Sequence, residues 1–166
     1  MKDNVILIGM PGSGKSTVGV LLAKIIGYDF LDSDLLIQNT EGRRLCEIIN
    51  DSGAEYFKEL ENRVNEKINV SKTVIATGGS VVYGKDAMEH FKSIGRIVYL
   101  KVPLTEIKRR INNIATRGIV MNAGQTLDEI YEERASLYEK YADITVNCGK
   151  ASLSYNAHKI MKALGF

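Results

Sequence analysis

Apolar, β-favouring runs recur along the chain at 4–9 (NVILIG), 29–34 (DFLDSD), 72–79 (KTVIATGG), 96–102 (RIVYLKV) and 143–148 (DITVNC). Several are near-continuous rather than alternating, the pattern of strands covered on both faces. Between them lie helical patterns at 15–26, from about 34 to 68 with a break at DSGAE, and at 85–93, 105–114, 127–140 and 153–164. This alternation of strand and helix predicts an α/β fold, a parallel sheet between helical layers that binds ligands beyond the carboxyl ends of its strands. The segment 112–126 (NNIATRGIVMNAGQT) has an apolar patch, two glycines and no sustained period. Its length reads as a mobile active-site lid, with an ordinary surface connection as the other reading.

The chain has 166 residues, 45% of them hydrophobic, which suits one domain over 1–166 with a substantial core. A net charge of +2, with no basic tract longer than KRR at 108–110, argues against a nucleic-acid partner. No apolar run approaches the ~20 residues of a membrane span, and Met1 leads through KDN directly into the first strand. A cytoplasmic monomer is expected. Cys46 and Cys148 show no CxxC spacing and only two histidines accompany them, so neither a disulfide nor a zinc site is indicated. Both cysteines are expected to be small buried apolar residues.

The chemistry begins at GMPGSGKST, residues 9–17, where a buried strand passes into a helix. Gly9, Gly14, Lys15 and Ser16 match G-x-x-x-x-G-K-[ST] in the context that motif requires. Loop N–H groups over Gly12, Ser13, Gly14, Lys15, Ser16 and Thr17 would cradle phosphate at the positive end of the helix. Lys15 can reach the β- and γ-phosphates of ATP, and the Ser16 hydroxyl can ligate Mg²⁺. The run 72–77 ends in ATGG without an acidic residue, so the metal's negative partner must come from elsewhere. Asp32 and Asp34 stand at the end of the second run, and residues i and i+2 of an extended segment share a face. One carboxylate can hold Mg²⁺ through water and the other can meet an acceptor hydroxyl. Alternatively, either one caps the following helix.

The P-loop, DSD, GAEYFKELE (53–61), VIATGGSVV (74–82), VYLKVP, the arginine of TRG (116–118) and ERASLYEKYADITV (133–146) together resemble shikimate kinases in order and spacing, from about residue 4 to 164. The resemblance implies a five-stranded parallel sheet of the nucleoside-monophosphate-kinase type. It also implies transfer of the ATP γ-phosphate to the 3-hydroxyl of shikimate, a step of aromatic amino acid biosynthesis. It assigns the substrate hydroxyls to Asp34, the magnesium shell to Asp32, and contact with substrate to Gly78 and Gly79. Arg117 would sit on the lid over the transferred phosphate, Arg134 would grip the substrate carboxylate, and Arg109 or Arg110 would meet adenine. The helical segment 33–61 would bind substrate. Three positions depart from the family pattern: Lys58 replaces an arginine that holds the carboxylate, Ser80 a glycine, and Gly118-Ile119 a Pro-Leu pair. Lysine is a hydrated point charge where arginine offers a fork, so the acceptor end is altered while the nucleotide end is intact. A kinase of another small acidic polyol, such as gluconate, and a non-catalytic ATP-binding module are the competing readings.

Overall fold

The computed structural model describes residues 2–111 and 118–166. Five strands, β1 (Asn4–Ile8), β2 (Asp29–Asp32), β3 (Thr73–Ala76), β4 (Gly95–Lys101) and β5 (Ile144–Asn147), form one sheet in the order β2-β3-β1-β4-β5. Every pairing is parallel, with Val5 opposite Val74 on one side of β1 and Arg96 on the other. The helices are α1 (Lys15–Ile26), α2 (Ser33–Glu41), α3 (Leu45–Glu66), α4 (Lys85–Ile94), α5 (Leu104–Arg110), α6 (Leu127–Tyr141) and α7 (Leu153–Leu164). The parallel α/β sheet predicted from the alternation is what forms, because each near-continuous apolar strand is covered on both faces. Ile6, Leu7 and Ile8 are completely buried in the central strand, and each such side chain contributes about 1.5–3 kcal/mol of transfer free energy. Cys148 is buried as expected, whereas Cys46 is only partly so. Among the described residues no helix is long and apolar enough to cross a membrane.

Two local expectations are corrected. The second strand ends at Asp32 and not at 34: the Asp32 carboxylate accepts the Asp34 N–H at 3.0 Å and starts α2 at Ser33. Asp34 therefore sits in the first helical turn, so the shared strand face does not explain how the two acids come together. The long helical pattern also divides at Gly42 (φ 65°), a break not expected, while the break expected at DSGAE is present as a kink at Gly53 (φ 86°, ψ 166°) inside α3. The lid expected over 112–126 lies only partly within the described residues, since 112–117, with Arg117, fall outside them.

Candidate active site

The carboxyl ends of β1 and β3 open onto one cavity of about 820 Å³. Its nucleotide end is the loop between β1 and α1, whose last residue, Gly14, caps α1 in the left-handed region (φ 93°). That conformation aims the first N–H groups of α1 into the loop's hollow. Lys15 is buried, and its ammonium donates to the carbonyls of Gly9 (2.7 Å) and Met10 (2.9 Å). Burial pulls its pKa down to about 8, opposed by the nearby charges of Asp34 and Asp32. Ser16 Oγ donates to Asp32 Oδ2 at 2.6 Å while Asp32 Oδ1 holds the Asp34 N–H. Asp32 is thus a helix cap, one of the alternatives the sequence left open, and also accepts a hydrogen bond from the P-loop serine expected to ligate Mg²⁺.

The two basic residues of the nucleotide end differ in their engagements. Arg110 donates to the carbonyls of Gly12 (3.4 Å), Ser13 (3.5 Å) and Gly149 (3.0 Å), bracing the P-loop against the loop before α7. Arg109 is 69% exposed and pairs with Glu106 at 3.0 Å. Both line the cavity.

The acceptor end has a floor of Gly78 and Gly79. A Cβ at Gly79 would lie 2.6 Å from Pro11 Cδ, and one at Gly78 would collide with Glu61 Oε1 and Asp34 Oδ1. Two carboxylates therefore converge on Gly78, where there is no side chain to keep them off the backbone. Tyr138, stacked on Tyr99 with centroids 5.0 Å apart, donates its hydroxyl to the Gly79 carbonyl at 2.5 Å and pins the floor. Asp34 has its pKa pushed up to about 6 by burial and by Asp32.

Glu61 is a residue the sequence reading passed over. It is 1% exposed, accepts from Ser80 Oγ at 2.5 Å through Oε2, and its Oε1 has no hydrogen-bond partner among the described residues. Burial first, then the charge of Asp34, pushes its pKa up to about 8. A signal was present, since Glu61 falls on the same stripe of α3 as Phe57, Leu60 and Val64, where a charged residue is out of place.

Arg134 on α6 is 1% exposed. Its Nη2 donates to the Val120 carbonyl at 2.5 Å and its Nε to Tyr83 Oη at 3.4 Å, while Nη1 has no partner among the described residues. Nη1 lies 3.2 Å from where a Gly79 Cβ would be, so a free guanidinium edge faces the glycine floor. Lys58 is not on the cavity wall. Its ammonium pairs with Glu55 at 2.8 Å and lies 4.8 Å from the centroid of the Tyr83 ring. The described residues next to 112–117 are close by, with Ile119 and Val120 buried and Gly118 (φ 61°) against Leu45.

The family model for shikimate kinase matches residues 11–165, nearly the whole cavity-forming chain. The chain belongs to the shikimate kinase family. A shikimate kinase of Clostridium botulinum is 42% identical over 150 residues, covering 87% of this chain and 88% of that protein. One from Sulfurihydrogenibium is 34% identical and covers 95% of each. Among solved structures, the shikimate kinase of Acinetobacter baumannii in complex with shikimate superposes with a TM-score of 0.90 at 29% identity, covering 99% of this chain and 93% of that one. The five-stranded parallel architecture implied by the resemblance is therefore that of the shikimate kinases. At the acceptor end of this chain Lys58 is engaged by Glu55 and Tyr83, and Ser80 pairs with Glu61.

Proposed function

We propose that this chain transfers the γ-phosphate of ATP to the 3-hydroxyl of shikimate, acting as a single-domain cytoplasmic monomer. The observation that carries the reading is the continuity of one cavity from the P-loop to a floor where Asp34, Glu61 and the free edge of Arg134 converge on Gly78 and Gly79. A cavity so divided offers anion-binding backbone at one end and, at the other, acceptors for hydroxyls beside a cation for a carboxylate. Shikimate carries both groups.

Phosphoryl transfer asks the protein mainly for alignment and for neutralisation of charge on the moving group. The P-loop N–H groups and Lys15 hold the nucleotide's phosphates. Ser16 and Asp32 present hard oxygen donors side by side at 2.6 Å, a set that fits Mg²⁺. Ser16 and Asp32 would hold the ion, which would supply positive charge against the nucleotide's phosphates. Asp34, with its raised pKa, accepts the proton of the attacking hydroxyl as the new O–P bond forms and the bond to the leaving ADP breaks. Arg134 holds the substrate carboxylate and Lys58, which is off the cavity wall and paired with Glu55, reaches it by leaving that exposed partner; Gly78 and Gly79 let the ring approach the floor, and Arg117 neutralises the transferred group. Arg110 is assigned to the nucleotide end through its bracing of Gly12 and Ser13.

The test is ADP release from ATP and Mg²⁺ with shikimate, with gluconate, and with no acceptor. Release that depends on shikimate supports the proposal. Release that depends on gluconate would reassign the acceptor, and ATP binding without any acceptor-dependent release would make the chain a nucleotide-binding module.

A further inference from the structure

Tyr83 ends the single 3₁₀ turn Val81–Tyr83 that follows the glycine floor, and it does not line the cavity. It nevertheless touches both cations of the acceptor end. Its ring centroid lies 4.8 Å from the Lys58 ammonium and 5.4 Å from the Arg134 guanidinium carbon. Its hydroxyl accepts from Arg134 Nε at 3.4 Å and donates to Glu133 Oε1 at 2.5 Å, and Glu133 in turn accepts from Gln125 at 3.2 Å. The direction of the O–H is therefore set: it points at Glu133 and leaves a lone pair for Arg134.

We propose that Tyr83 is the positioning residue of the acceptor end, holding Arg134 and Lys58 on one ring so that both cations meet the same acceptor carboxylate. This rests on the reading above, that the acceptor carries a carboxylate. Arg134 Nη2 is already committed to Val120 and Nε to Tyr83, which leaves Nη1 as the edge facing the floor. Lys58 has a four-carbon stem and no such fork, so something must keep its ammonium near the cavity. Its carboxylate partner, Glu55, is 77% exposed, and an exposed ion pair is weak enough for a bound carboxylate to displace. The ring is the half-buried contact that stays, because cation–π attraction does not use up the ammonium's hydrogen-bond donors.

The experiment is calorimetric titration of shikimate and of its uncharged methyl ester into the wild type, Tyr83→Phe, Tyr83→Leu, and Tyr83→Leu combined with Lys58→Met. Loss of the ring is expected to weaken shikimate about 3- to 10-fold, the range for cation–π contacts at partly buried sites. The ester should change less than about two-fold by the same reasoning, since the cations recognise charge. Tyr83→Phe keeps the ring and should recover part of the loss, and Tyr83→Leu should matter less once Lys58 is methionine. Equal weakening of both ligands would mean that Tyr83 only supports the fold locally, and that would overturn the proposal, as would no weakening of either. If Tyr83→Leu does not fold, Tyr83→Phe carries the test alone. Removing the hydroxyl that Arg134 uses must still weaken shikimate selectively, by about two- to three-fold, and the absence of that selectivity overturns the proposal. Shikimate-dependent ADP release by the wild type reports on the reaction itself, so an active kinase without a charge-selective Tyr83 effect rejects this inference alone.

Discussion

Glu61→Gln should make the protein's stability less sensitive to pH. Burial and Asp34 together push the Glu61 pKa from 4.5 up to about 8, so the folded chain keeps this proton across a range where the unfolded chain has released it. The folded state therefore binds more protons between about pH 4.5 and 8. Its stability is fully favoured below that window and falls as pH rises through it. At about 1.4 kcal/mol per pH unit, the whole window is worth at most about 5 kcal/mol, and the part between pH 6 and 8 about 2 kcal/mol. For a chain of this size that is a fall in Tm of about 4–8 °C. Asp34 acts in the same direction mainly below pH 6, and Lys15, whose pKa is lowered, acts in the opposite direction above pH 8. Neither accounts for the 6-to-8 interval. Glutamine keeps the shape of the neutral acid and an oxygen for Ser80 Oγ, so the variant should match the wild type within about 1 kcal/mol at pH 6 and surpass it at pH 8. Thermal and urea unfolding of both proteins at half-unit steps from pH 5.5 to 8.5 measures this. Parallel curves would show that ionising Glu61 in place carries no penalty, and the assignment of a neutral acid beside Asp34 would fall.

Lys15→Ala should cut turnover by at least about 100-fold, the usual loss for one preorganised cationic donor, with cooperative unfolding retained, since the sheet and the glycine-rich backbone remain although the ammonium's bonds to Gly9 and Met10 are lost. Near-normal turnover would refute its role at the phosphates. Asp34→Asn should lower turnover by about 10²- to 10⁴-fold while ATP still binds, and Asp32→Asn should instead raise the Mg²⁺ concentration needed for half-maximal rate. Small and equal effects from the two changes would leave both aspartates as helix-start residues. Lys58→Arg should lower the KM for shikimate several-fold, about 1 kcal/mol, by adding a second fork for the carboxylate, with kcat and the KM for ATP nearly unchanged. A higher KM would point to a different acceptor.

The parts of the site that are written locally were legible in the chain. The P-loop is a run of nine residues whose glycines, lysine and serine carry their geometry with them, and the alternation of apolar runs and helical patterns led directly to the parallel sheet. Asp34 was placed near the P-loop, but by the wrong device: it arrives in the first turn of α2, because Asp32 caps that helix one residue earlier than the strand pattern suggested. Glu61 and Ser80 lie 19 positions apart and meet only because α3 packs over the turn after Gly79, a contact that no single-segment pattern encodes. The direction of Lys58 was equally hidden. A flexible lysine goes where its neighbours send it, and here Glu55 and Tyr83 decide.

The position of β1 in the sheet bears on how this protein assembles. Among the five strands of the sheet, the first in chain order is the central one, and its two ladders come from 73–76 and 95–101. Until β4 has left the ribosome, the most apolar strand of the nascent chain has an unpaired edge, the kind of surface that chaperones shield and aggregates recruit. Such distant pairings also slow folding relative to helical proteins of similar length. The P-loop hangs from the end of that strand, and Arg110 braces it against Gly149, near the far end of the chain. The nine-residue motif is therefore complete before its sheet is, but its cradle becomes rigid only once the segment after β5 is in place. Nucleotide binding during refolding reports the closing of the whole sheet and not the formation of a local turn.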